Sequence, residues 1–139
     1  MTAFDATTTR AGTRSRGVVV LAAAVTAVVF NLLVYALGQL AGGDFAFPRN
    51  GSTVQVDAVT VAGFSAAPLG LGLTVVALLA RRFSWIARVA IVVAPVLAIA
   101  TIGIMTIPVD LDTVSTVALA TCHLTLVPIS IVAIRRLRP

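Results

Sequence analysis

The sequence predicts an all-α fold: an integral membrane domain built as an up-down-up-down four-helix bundle. Three observations predict it. Hydrophobic residues make up 59% of the 139 residues and charged residues only 11%, with a mean hydropathy of +1.07, whereas a soluble domain carries roughly 25% charge. Four apolar runs, each free of charge, reach the roughly 20 residues a helix needs to cross a bilayer. The later runs are joined by short links, which sets consecutive helices antiparallel. None of the runs alternates polar and apolar residues as a membrane barrel strand must.

The elements follow in chain order. Residues 1–16, "MTAFDATTTRAGTRSR", are polar and threonine-rich and are expected to form a disordered cytoplasmic tail. The transmembrane domain covers 17–136, with spans at about 17–41, 58–80, 89–109 and 114–134. The first span is longer than the 7–15 apolar residues of a signal peptide, so it is expected to persist as a helix. The loop "GGDFAFPRNGSTVQVD" follows it. Asn50-Gly51 marks a turn there, and Val54 and Val56 alternate with Thr53 and Gln55, which permits a short extended piece. Phe45 and Phe47 are expected at the lipid interface. Asp57 and Asp112 are placed to cap the second and fourth helices. The link "RRFSWIAR" makes the second and third spans expected neighbours, with Trp85 as an interface anchor, and "PVDLDT" does the same for the third and fourth.

Pro68, Pro95 and Pro128 stand in the last three spans, where each removes a backbone donor. Glycine and proline cluster in "GFSAAPLGLG", so the second helix is expected to bend most, near Pro68. Its small residues also permit close helix contact.

Charge sets the orientation. All ten basic residues are arginine. Nine of them precede the first span, lie between the second and third, or follow the fourth; the other side holds Arg49 with Asp44, Asp57, Asp110 and Asp112. Arginine-rich short loops stay in the cytoplasm, so both termini are expected there. No basic helix face with interleaved aromatics exists, so nucleic acid is not an expected partner. Membrane lipids are, together with a protein partner or a second copy of the chain.

A candidate site comes from the polar side chains inside the spans, which favour the bundle interior. Asn31, Tyr35 and Gln39 recur at i, i+4 and i+8, on one face of the first helix. At 1.5 Å per residue, Asn31 lies about 15 Å and His123 about 14 Å below the outer surface, with Ser65 and Thr101 at roughly 10–12 Å. One reading is an outward-facing polar pocket lined by Asn31, Tyr35, Gln39, Ser65, Thr101 and His123, able to bind a ligand. The other is a set of interhelical hydrogen bonds that fix register, with Ser and Thr bonding their own helix backbones. His123 is expected to face the interior near Asn31. Cys122, about 100° away on the helix, is expected to face elsewhere, which argues against a Cys–His catalytic pair.

Absences narrow the classes. The single cysteine excludes paired-thiol chemistry, and no Cys/His spacing suits a metal. The spans hold no glutamate for drug export, no arginine for voltage sensing and no HExxH for zinc proteolysis. The expectation is a non-enzymatic protein without a cofactor that binds a partner or a lipid-like ligand. A transporter or channel component using the outward polar pocket is the alternative.

The segments "NLLVYALG", "VDAVTVAGFSAAPLGLG" and "HLTLVPISIVAIRRL" resemble those of a family of small four-span bacterial membrane proteins, a domain of unknown function. The resemblance covers the spans, from about residue 17 to residue 136. It implies a membrane location and a helical bundle, and it brings no catalytic residues with it.

Overall fold

A computed structural model describes the backbone of residues 4–138 and the side chains of residues 15–138. Four helices pack against one another: α1 (Phe4–Leu40), α2 (Ala58–Leu79), α3 (Trp85–Thr101) and α4 (Thr113–Leu137). A π-helical turn, Ile102–Thr106, extends α3. All four are long and apolar enough to cross a membrane, over Ser15–Leu40, Ala58–Leu79, Trp85–Thr106 and Thr113–Leu137. The protein is all-α, as its apolar runs require. Helix α1 reaches back to Phe4, over most of the segment 1–16 expected to be a disordered tail.

The loop after α1 folds into a hairpin of β1 (Ala46–Arg49) and β2 (Ser52–Gln55), antiparallel, with Arg49 opposite Ser52. Asn50 and Gly51 make the connection with φ of 51° and 79°. Positive φ at both central residues matches the right-handed twist of a two-residue hairpin, and Asn-Gly tolerates it best. The extended piece expected around Val54 is therefore one strand of a pair.

Both expected caps are present. Asp57 Oδ1 accepts from the Thr60 amide at 2.7 Å, and Asp112 Oδ1 from the Ser115 amide at 2.9 Å. Each satisfies an amide that the first helical turn leaves without a partner.

Two expectations are corrected. The short turn at residues 80–84 does not make α2 and α3 close partners. The main packing pairs are α1 with α2, α1 with α4, and α3 with α4, and α2 also meets α4 across the bundle. A short turn fixes where two helix ends sit, not the direction in which the second helix leaves. Helix α3 leaves along α4, and only 6% of its most apolar window is buried.

A local irregularity lies in the third span. Helix α2 continues through Pro68, and the change of hydrogen-bond pattern falls in the third span. There the Ile107 amide donates to Ile102 O, five residues back, at 2.9 Å. Such π turns insert an extra residue into the helical ladder. Gly103 lies inside this turn and Pro108 stands two residues beyond it.

The second correction is Phe45, which is fully buried rather than resting at the lipid interface.

Two apolar clusters fill the bundle. The cluster at the arginine end is built of small residues, Ala23, Ala77, Ala80, Ala87 and Ala133, around Leu73, Ile134 and Leu137. The cluster at the hairpin end gathers Tyr35, Phe45, Val61 and Ala118.

Candidate functional site

Between those clusters lies a polar junction centred on Asn31, which is 2% exposed. Its position on α1 faces both α2 and α4, so one side chain reaches two neighbours. Asn31 Nδ2 donates to Ser65 Oγ on α2 at 2.7 Å, and Ser65 passes its own proton to Val61 O at 2.7 Å. On α4, the Thr125 hydroxyl donates to Asn31 Oδ1 and also reaches Cys122 O at 2.8 Å. Cys122 Sγ lies 3.7 Å from Asn31 O. One carboxamide thus ties three helices together in an apolar interior, where each satisfied polar group avoids the cost of burial without a partner.

The other predicted residues divide into two groups. Tyr35 OH accepts from Gln39 Nε2 at 3.0 Å, one turn along the same helix face. Thr101 and His123 bond their own helices: Thr101 Oγ1 donates to Ala98 O at 2.8 Å and Leu97 O at 3.0 Å, and His123 Nδ1 lies 2.8 Å from Leu119 O. The structure therefore brings Asn31 and Ser65 together and leaves Thr101 and His123 in bonds within their own helices. His123 is half-buried, whereas Cys122 is buried against α1, the reverse of the expected orientation. Sequence reasoning missed Thr125. Its position three residues after Cys122, on a shared helix face, was the available signal.

A second polar node closes the hairpin end. Ser115 is fully buried and its hydroxyl donates to Asp112 Oδ2. The Phe45 amide donates to Ser115 Oγ at 2.9 Å, and the Asp44 amide to Asp112 Oδ2 at 3.3 Å. The side chain that caps α4 therefore also holds the loop leaving α1. The Ser115 hydroxyl and amide are the main reason the Asp112 carboxyl is held far below its ordinary value of 3.8.

Phe45 sits at φ 52°, an uncommon conformation for a non-glycine residue, and turns its ring into the bundle. That ring lies 4.6 Å from the Tyr35 ring, centroid to centroid, with a 56° tilt. Gly38 makes room for it, since a Cβ there would stand 2.7 Å from Phe45 Cζ and 2.9 Å from Ala118 Cβ.

A cleft of about 320 Å³ opens between α1 and α4 in the arginine half, from Val19 and Thr26 on one side to Pro128 and Arg136 on the other. It includes none of the six predicted site residues. Among the described residues no group of three or more His, Cys, Asp or Glu side chains is placed to hold a metal.

A sequence family described as "Family of unknown function (DUF6069)" matches residues 10–139, and the chain belongs to that family. No curated protein and no solved structure matches it.

Proposed function

We propose that this member of a family of unknown function is a non-enzymatic, multi-pass protein of a bacterial cytoplasmic membrane. Both termini face the cytoplasm, and the protein binds a partner or a lipid-like ligand at its membrane-facing surface. The observation that carries the reading is the placement of Asn31. Its carboxamide is engaged between Ser65 and Thr125, so the strongest polar group in the spans links helices. A transporter or channel component would use that group to line a path. What the bundle turns outward is largely apolar: the face of α3 with Val92, Val93, Val96, Leu97 and Ile99, and most of the cleft beside α1 and α4.

The orientation draws on charge. The arginine end carries Arg16, Arg81, Arg82, Arg88, Arg135, Arg136 and Arg138, and the hairpin end carries Asp44, Asp57, Asp110 and Asp112 with Arg49. Short arginine-rich segments are retained on the cytoplasmic side.

Two experiments test the proposal. In a Cys122→Ala background, Asn50→Cys and Leu111→Cys should label from outside intact cells, and Thr13→Cys and Ser84→Cys should not. The opposite pattern overturns the orientation. Native mass spectrometry of the protein released from its membrane in mild detergent should show a retained lipid or protein adduct. A bare chain under conditions that preserve the bundle contradicts the binding function.

A further inference from the structure

The cleft between α1 and α4 points to an occupant. Its walls are apolar through most of their length, with Val19 and Ala22 on α1 facing Pro128 and Val132 on α4. Ala22, Pro128 and Val132 are exposed, so the cleft opens sideways toward the surrounding lipid. From Pro128 to Arg136 the helix rises about 12 Å, so the cleft runs from mid-membrane to the arginine surface. At that end Arg136 forms part of the lining itself. Arg135 and Arg138 flank it on the same helix end. Asp44, Asp57, Asp110 and Asp112 lie at the opposite end of the bundle.

An apolar slot ending in a guanidinium has the polarity of one molecule: an acyl chain carrying an anionic head. Basic pockets between membrane helices on the cytoplasmic side recognise phosphate-bearing lipid heads. A guanidinium presents paired donors suited to phosphate oxygens. We propose that this cleft is a binding site for an anionic phospholipid of the inner leaflet, with its phosphate on Arg136 and an acyl chain laid along Val19, Ala22, Pro128 and Val132. Arg16 is not part of the cleft lining, and its Nη1 donates to Ala77 O at 3.0 Å. This inference rests on the proposed orientation and gives the lipid-like ligand a class and a place.

The test uses the full-length chain, delipidated in detergent and titrated with phosphatidylglycerol or phosphatidylcholine, with bound lipid counted by native mass spectrometry. Wild type should retain phosphatidylglycerol in preference to phosphatidylcholine. Arg136→Gln should weaken phosphatidylglycerol about fivefold, the effect of one arginine at an anionic surface, and leave phosphatidylcholine unchanged. Arg136→Lys should restore most of the loss. Ala22→Trp places a ring in the cleft from an exposed position outside the core and should reduce retention of both lipids. Helical content by circular dichroism should match wild type in each variant. Phosphatidylglycerol retained by wild type but unaffected by Arg136→Gln and Ala22→Trp overturns this site and leaves the broader reading standing. Retention of neither lipid by wild type overturns this site and leaves a protein partner as the broader reading. Equal retention of the two lipids by wild type overturns the role given to the phosphate.

Discussion

The hairpin half and the arginine half of the bundle are built on different principles. In the hairpin half, side chains cross between elements: Asn31 joins α1 to α2 and α4, Ser115 and Asp112 hold the loop, and Phe45 fills the space that Gly38 leaves. In the arginine half, Arg16 donates to Ala77 O, and much of the contact is made by alanines at close approach. The difference teaches where binding can occur at little cost to the fold. Polar groups committed to neighbours specify one arrangement of helices. Small apolar residues allow close packing and leave gaps beside it that lipid can fill.

The largest effect expected from breaking this contrast lies at Phe45. Phe45→Ala removes a fully buried ring and its contact with Tyr35, and it should cost about 3 kcal/mol in unfolding experiments in micelles. Phe47→Ala, at a partly exposed strand position, should cost much less. Equal losses would mean that the hairpin end is not plugged by Phe45.

A smaller effect is expected at the junction. Asn31→Ala should destabilise by about 1 kcal/mol, within the range for hydrogen bonds between membrane helices. The loss stays modest because the Ser65 and Thr125 hydroxyls keep their own backbone acceptors, Val61 O and Cys122 O. In double-mutant cycles, Asn31→Ala and Thr125→Val should couple, whereas Asn31→Ala and His123→Ala should add. Coupling of the second pair and additivity of the first would restore the arrangement expected from depth alone.

The smallest effect sharpens the contrast through pH. Asp112 is held below its ordinary value of 3.8 by Ser115, so its ionised form stabilises the fold fully above that value. That contribution declines as pH falls below 3.8 toward the lowered folded-state value. Asp112→Ala should therefore melt earlier than wild type at neutral pH, and the gap should narrow in acid. A gap independent of pH contradicts the role given to the carboxylate.

These comparisons also show what the sequence could express. The spans were legible because a stretch of uncharged residues has few other stable forms, and Asp57 and Asp112 because a cap is a local event. Which side of each helix meets protein was not legible. Lipid and protein interior are equally apolar, so the periodicity that betrays a buried face in a soluble helix is muted here. Depth placed His123 beside Asn31, but depth carries no rotation. The roughly 100° step between neighbouring residues put Cys122 and Thr125 against α1 instead. Phe45 was misjudged for a related reason. Its burial depends on Gly38 and Ala118, which lie on two different helices.

The central claim is that the polar residues of the hairpin half tie helices together and do not line a water-filled pocket. The native Cys122 reports on this directly, because its thiol is buried against Asn31 O and is the chain's single cysteine. Membrane-embedded wild-type protein should resist a small, water-soluble maleimide added from either side, and it should label fully once unfolded in detergent. Rapid labelling of the folded protein in its membrane would show water beside Asn31 and would contradict the account.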